Sequence, residues 1–281
     1  MIKPESIDSL QAFYDADAAG YFTHRWDRNI VTRADFAATR DILLETLRPQ
    51  PEQRLLEIGC GPGSWTGLTS ARCVAVTALD LSAEMLAEAR RRVTAANVTF
   101  VRADFATWEP AADTRFDGAY SVRVFEHLPD KTAALRRLRS LLLPGGRVVI
   151  ITKTAPSIWN GRVRMMQALR RLMGRPDPGR AGGKIENFWM QRATPWQLAK
   201  MLRQSGFVNV GVAPVIFRPP VFRGGESEYP LIGERLAAPL LRWHGRLAVA
   251  TLRWPAWLRL VATLGSESYV AWGMVPGGGP Q

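Results

Sequence analysis

The sequence predicts an α/β protein built on a doubly wound sheet, and three observations carry that reading. Short apolar runs alternate with helical patterns, the order that winds a parallel sheet with crossover helices. A glycine-rich turn, "LLEIGCGPGSWT", directly follows the first of these runs. Acids close three successive runs, at Glu57, Asp80 and Asp104. In such sheets ligands bind beyond the carboxyl ends of the strands.

The elements follow in order. Strands are expected at Arg54 to Ile58, Val74 to Leu79, Val98 to Arg102, Gly118 to Val122 and Arg147 to Thr152, and the last two in "VNVGVAPVIF" and "ESYVAWGMV". Ser82 can cap a helix through "AEMLAEARRRVTAA", with Glu84 near its positive end and arginines late in it, as the helix dipole favours. Thr194, Pro195 and Gln197 form a capping box with proline at the first helical position, and Gly206 stops that helix. About fifty residues separate the last two predicted strands, and no internal repeat is visible.

Composition sets outer limits. The chain has 281 residues, 47% of them hydrophobic, enough for one large core with a substantial insertion. Cys60 lies inside the glycine turn and Cys73 beside the next strand, which is no disulfide framework and points to a reducing compartment. "MIKPESIDSL" lacks the layout of a signal peptide, and nowhere do about 18 uncharged apolar residues run together, so a cytoplasmic chain without a membrane span is expected.

The formal charge of +12 invites a nucleic-acid reading. Its distribution argues against one. Between Lys153 and Lys184 eight Lys or Arg face one acid, Asp177, and from Arg235 to Leu260 five arginines face none. These two segments hold the whole excess, and both interleave cations with Trp, Met or Leu. At about 100° per residue, Arg235, Arg242, Arg246 and Arg253 share a stripe beside another of Leu236, Leu240, Trp243, Leu247, Ala250 and Trp254. Pro239 and Pro255 are expected to kink or end that helix. Three uses fit the stripe: packing on its own domain or a second subunit, resting on a membrane surface, and, least of all, binding nucleic acid.

The glycine turn needs a backbone free of Cβ atoms where peptide N–H groups approach a nucleotide-like ligand. Asp80, about twenty residues on, sits where a carboxylate accepts both hydroxyl protons of a ribose. A nicotinamide dinucleotide fingerprint, G-x-G-x-x-G, fits less well. The third glycine, Gly63, comes one position early, Ser64 takes its expected place, and Asp104 has no role there.

In the order Glu57-x-Gly59-x-Gly61-x-Gly63, Asp80, Asp104, "FDGAYSVRVFEHLPD" and "LLLPGGRVVI", the stretch from Leu43 to Phe217 resembles the class I S-adenosylmethionine-dependent methyltransferases, of the small-molecule type found in quinone and natural-product pathways. The resemblance implies a Rossmann-like seven-stranded sheet whose last strand is antiparallel, with S-adenosyl-L-methionine as cofactor. It places the glycine loop (Glu57, Gly59, Cys60, Gly61, Gly63) at the methionine part, Asp80 at the ribose, Asp104 at the adenine amine and Phe105 beside the ring. Leu81, Met85 and Val122 complete the expected cofactor contacts. An N-terminal helical lid over 1–42 is implied, then the core over 43–217 with an acceptor-side cover over 153–190. A helical insertion over 218–266 follows, and the last strand with its tail fills 267–281. Acidic and aromatic surroundings suit a sulfonium cation.

Methyl transfer needs alignment and, for oxygen or nitrogen acceptors, removal of a proton. His127 in "FEHLPD" is the leading candidate base, with a helix brace as its alternative role. His24 and Tyr21 in "YFTHRWDR" are further candidates on the catalytic side, for which plain lid packing is the alternative. Some similar quinone-pathway enzymes carry a metal-binding E-x-x-E-H here. This chain reads Arg123-Val-Phe-Glu126-His127, and a guanidinium does not ligate a cation, so no metal is expected. The acceptor implied is small and lipophilic or aromatic, with O-methylation favoured. RNA methylation, a nicotinamide oxidoreductase and a noncatalytic S-adenosylmethionine-binding module are the alternatives, and the N-P-P-Y-like signature of exocyclic-amine methylation is missing, "SVRV" standing there instead.

Overall fold

The computed structural model describes residues 4–154, 192–216 and 234–278. Seven strands form one sheet: β1 (Arg54–Ile58), β2 (Ala75–Asp80), β3 (Val98–Arg102), β4 (Phe116–Val122), β5 (Leu142–Lys153), β6 (Val208–Ile216) and β7 (Ser268–Met274). Their order is β3-β2-β1-β4-β5-β7-β6. The first five pair in parallel, while β7 runs antiparallel to both β5 and β6. The doubly wound reading and the reversed last strand therefore hold.

Eight helices are described: α1 (Pro4–Asp17), α2 (Ile30–Leu47), α3 (Thr66–Ser70), α4 (Ala83–Arg92), α5 (Lys131–Leu141), α6 (Pro195–Gln204), α7 (Glu234–Thr251) and α8 (Ala256–Leu264), with a π-helical turn at Thr23–Asp27. Both capping motifs form as read: Ser82 Oγ accepts from the Met85 N–H, and Thr194 and Gln197 cap each other reciprocally. α4 stops at Arg92, earlier than its pattern suggests, because the chain turns extended at the β-branched Val93.

Three strand boundaries also move. β2 begins at Ala75, leaving Val74 exposed. β4 begins at Phe116 and β5 at Leu142, because Phe116 already pairs with Leu142 before an irregularity absorbs Pro144, Gly145 and Gly146 and resumes at Gly118 and Arg147.

The sheet is buried on both faces. Leu135, Leu138, Leu198 and Leu202 of α5 and α6 cover one side with Leu56, Val148 and Ile150. Ile42, Leu43 and Leu47 of α2 and Ala248 of α7 cover the other with Leu55, Val149 and Ile151. Burial of each large aliphatic side chain is worth about 1.5 to 3 kcal/mol. α2 is thus a core helix rather than part of a lid over 1–42, since Val31 and Ile42 have no exposed surface. Only α1 and the turn after it remain as a cover.

The insertion between β6 and β7 is helical where described, and α7 continues through Pro239, against expectation. Proline lacks the N–H that would bond one turn back, so a single backbone bond is forfeited there. Ala237, Leu241, His244, Ala248 and Thr251 form its buried face, and Gly245 passes close to Ala38 of α2. The apolar stripe lies beside this face; Leu236 is 65% exposed, Leu240 40% and Trp243 59%, while Leu247 and Trp254 are half-buried. Among the described residues, α7 packs on its own domain through the small-residue face and leaves Leu236, Leu240 and Trp243 of the stripe uncovered. The acceptor-side cover expected over 153–190 lies outside the described residues, apart from Lys153 and Thr154. Among the described residues no helix is long and apolar enough to cross a membrane.

Candidate active site

The carboxyl ends of β1 to β4 open into a cleft of about 1040 Å³, counting its open mouth, roofed by Leu10, Gln11 and Tyr14 of α1. Two contacts hold α1 across it. The Ser82 hydroxyl donates to Asp15 at the β2 end, and the Tyr14 hydroxyl meets His127 Nε2 at 3.2 Å at the β4 end. The helix therefore bridges the cleft at both of its walls.

At the β2 and β3 end lie Asp80, Leu81, Met85, Asp104 and Phe105. Asp80 Oδ2 accepts from the Gly61 N–H at 2.7 Å and Oδ1 from the Ser82 N–H at 3.0 Å. This pins the glycine loop to the next strand and fixes the carboxylate with lone pairs left over. Burial raises the Asp80 pKa, against these backbone bonds. Asp104 Oδ1 accepts from the Ala106 N–H at 2.9 Å, and Phe105 is buried beside it.

Gly61 has φ +52°, and a Cβ there would meet nothing within 4 Å. That open space belongs to the cleft which Gly61 and Gly59 line. The loop thus offers bare backbone to a ligand, as the spacing suggested. A ribose at Asp80, an adenine at Asp104 and Phe105, and an amino-acid chain along Gly59 and Gly61 fit these residues.

The β4 end carries Tyr21, Val122, Arg123, Val124 and His127. Burial pushes the His127 pKa below its ordinary value, so its imidazole is neutral at physiological pH and able to take a proton. Burial keeps the Tyr14 and Tyr21 phenols protonated. Glu126, buried beneath them, accepts from the Thr152 hydroxyl at 2.6 Å, and despite burial its pKa is held below the usual carboxylate range by Arg123, His127 and Thr152. Among the described residues, no three His, Cys, Asp or Glu side chains converge on a common point.

Four expected site residues do not line the cleft. Glu57 turns into the core, where Thr66 Oγ1 donates to its Oε2 at 2.5 Å and the Tyr120 hydroxyl at 2.9 Å. Burial lifts it to about 8, so it is a neutral brace between β1, α3 and β4 rather than a cofactor contact. Cys60 is buried in the core beneath the loop. Gly63 serves helix packing, since a Cβ there would press on Ala89 of α4 at 3.3 Å and on Val93 just after it at 3.0 Å. His24 points outward and hydrogen-bonds Asp17 at 3.0 Å on the exposed surface. Conversely, the sequence reading did not single out Gln11 and Ser82 as cleft residues, nor Arg123 as a cleft side chain. Tyr14 carried a signal, as an aromatic ahead of the "YFTHRW" segment.

Comparison with known proteins bears on the fold and on the domain from β1 to β5. Residues 56–150 match the family model described as "Methyltransferase domain". An uncharacterized methyltransferase of Mycobacterium tuberculosis is 35% identical over 121 residues, covering 43% of this chain and 61% of the relative. The trans-aconitate 2-methyltransferase of Methylobacterium radiotolerans is 34% identical over 148 residues, covering 51% of this chain and 55% of the relative. The chain thus spans less than two thirds of the length of either. Among solved structures, a DhpI complex with SAH superposes with a TM-score of 0.59 over 99% of this chain and 100% of that one, at 20% identity, which is a likeness of fold. The resemblance to class I methyltransferases is borne out for the core: its fold is theirs, and the segment from β1 to β5 carries their domain signature.

Proposed function

We propose that the protein is an S-adenosylmethionine-dependent methyltransferase acting on an oxygen of a small acceptor. The observation that carries this is the polarity of the cleft. Two fixed acids and an aromatic at the β2 and β3 end suit a nucleoside, and a neutral, buried imidazole at the β4 end suits proton removal. Asp80 would hold the ribose and Asp104 with Phe105 the adenine, while Gly59 and Gly61 leave room for the amino-acid part. When bound, S-adenosylmethionine supplies an electrophilic methyl group. Tyr14 and Leu10 exclude water above it, and His127 takes the acceptor hydroxyl's proton on an imidazole nitrogen. The relatives named for methyl transfer, including one acting on trans-aconitate, support the reading.

Incubation with methyl-labelled S-adenosylmethionine, a panel of small hydroxylated acceptors and total RNA tests it. Label is expected in a small product. Label in RNA alone, or no label together with hydride transfer to a nicotinamide, would contradict the proposal.

The same reading includes where the acceptor is met. Leu236, Leu240 and Trp243 on α7 and Trp257 and Val261 on α8 are exposed, as are Arg235, Arg242, Arg246 and Arg253, with no acid between Arg235 and Leu260. An anionic lipid surface fits that pattern, each arginine contributing about 1 kcal/mol. Wild type is expected to float with anionic liposomes in a salt-sensitive way, and the variant with these four arginines changed to glutamine to stay down. A protein that never floats and sediments as a dimer would contradict this.

A further inference from the structure

Arg123 combines three unusual properties. It sits at the end of β4 with φ +66°, a left-handed conformation that costs an arginine free energy and is tolerated where the surroundings enforce it. Its side chain is 7% exposed and lines the cleft. All three guanidinium nitrogens are buried without a hydrogen-bond partner. An arginine brings five N–H donors, and leaving a buried charge unpaired costs more than leaving a neutral donor unpaired.

Arg123 is not isolated. Arg25 stacks over Trp26 at 4.6 Å and has a second buried, unpartnered guanidinium nitrogen, Nη2. Burial, and after it Arg25, lowers the Arg123 pKa to about 10, and burial with the two arginines depresses Lys153 to about 7. Arg192 adds to the same field. Glu126, Glu267 and Asp35 offset it electrostatically, but none of them hydrogen-bonds the Arg123 guanidinium. A cluster of cations beside the place of a sulfonium is unfavourable unless an anion completes it.

We propose that Arg123 forms an anion subsite at the β4 end of the cleft, with Arg25 adding to its positive field, and that the acceptor carries a carboxylate or phosphate-type group which this subsite anchors. The proposal rests on the methyl-transfer reading and deepens it. Arg123's planar fork suits bidentate contact with either group, which fixes orientation as well as position. The acceptor expected from sequence as lipophilic becomes amphiphilic, an apolar body lying along Val122, Val124 and Leu128 with an anionic end at Arg123. The methionine carboxylate of the cofactor is the other possible source of such an anion. Arg123 lines the same end of the cleft as His127, where the acceptor is expected, which favours the acceptor.

The test titrates malonate, inorganic phosphate and neutral dimethyl malonate into the full-length protein by calorimetry, once saturated with S-adenosylhomocysteine and once with 5′-methylthioadenosine, which lacks the amino-acid part. Malonate or phosphate is expected to bind in both states, at least tenfold tighter than the diester, and the tighter of the two identifies the anion. Arg123→Gln should lose that affinity tenfold or more, and Arg25→Gln should weaken it several-fold. If Arg123→Gln does not fold, the Arg25→Gln titration decides. Binding only beside methylthioadenosine would assign the subsite to the cofactor's carboxylate and overturn the proposal. Equal affinity for malonate, phosphate and diester, or unaltered affinity in a folded variant, would also overturn it. Failure of S-adenosylhomocysteine to bind wild type would instead strike the methyl-transfer reading itself.

Discussion

Replacing His127 by alanine is expected to lower turnover by about 10²- to 10⁴-fold, the usual contribution of a positioned general base. The affinity for S-adenosylhomocysteine should change little, because the nucleoside contacts lie at the opposite end of the cleft. The pH profile supplies a second readout. Burial lowers the His127 pKa, so the imidazole stays neutral to a more acidic pH than a free histidine. As pH falls through the shifted value the base becomes protonated and the rate drops, which places the acidic limb of kcat below about 6.5. Steady-state kinetics of wild type and His127→Ala from acidic to neutral pH check both. Turnover of the variant within tenfold of wild type would reduce His127 to a brace for the Tyr14 hydroxyl, 3.2 Å from its Nε2.

The site was legible in the sequence where function depends on local spacing. Gly59, Gly61, Asp80, Asp104 and Phe105 reach the cleft because each closes a parallel strand or opens the loop after one, and the alternation of strands and helices fixes which end of the sheet they share. The misreadings depend on contacts between distant segments. Nothing around Glu57 announces that Tyr120, 63 residues away, will supply a hydroxyl and draw the carboxyl inward. His24 looked catalytic among aromatics, but the π-helical turn that buries Trp26 leaves it facing Asp17 and solvent. Arg123 was legible as a departure from a metal-binding pattern. Its burial, and hence its unmet donors, appears only once β4 is enclosed. In α7 the periodicity defined the stripes without showing which face α2 would select. The face with small side chains, Ala237, Gly245 and Ala248, allows the closest approach and is the one taken.

The central claim is that this cleft holds S-adenosylmethionine with its ribose on Asp80, and the Asp80→Asn variant examines it with a large expected effect. The substitution keeps the shape of the side chain, so an amide oxygen can still accept from the Gly61 N–H, which now donates to Asp80 Oδ2 at 2.7 Å, while the bond that Oδ1 accepts from the Ser82 N–H is lost. The negative charge is lost, and with it two charge-assisted bonds to ribose hydroxyls worth roughly 1.5 to 3 kcal/mol each. Partial retention through the amide makes a tenfold loss the lower bound. Circular dichroism of the variant should remain that of wild type, which separates lost recognition from lost folding. The deciding measurement is a calorimetric titration of S-adenosylhomocysteine into wild type and Asp80→Asn. The account predicts one-site binding to wild type and a dissociation constant at least tenfold higher for the folded variant. Equal dissociation constants, or a wild type that ignores S-adenosylhomocysteine and binds a nicotinamide dinucleotide, would contradict it.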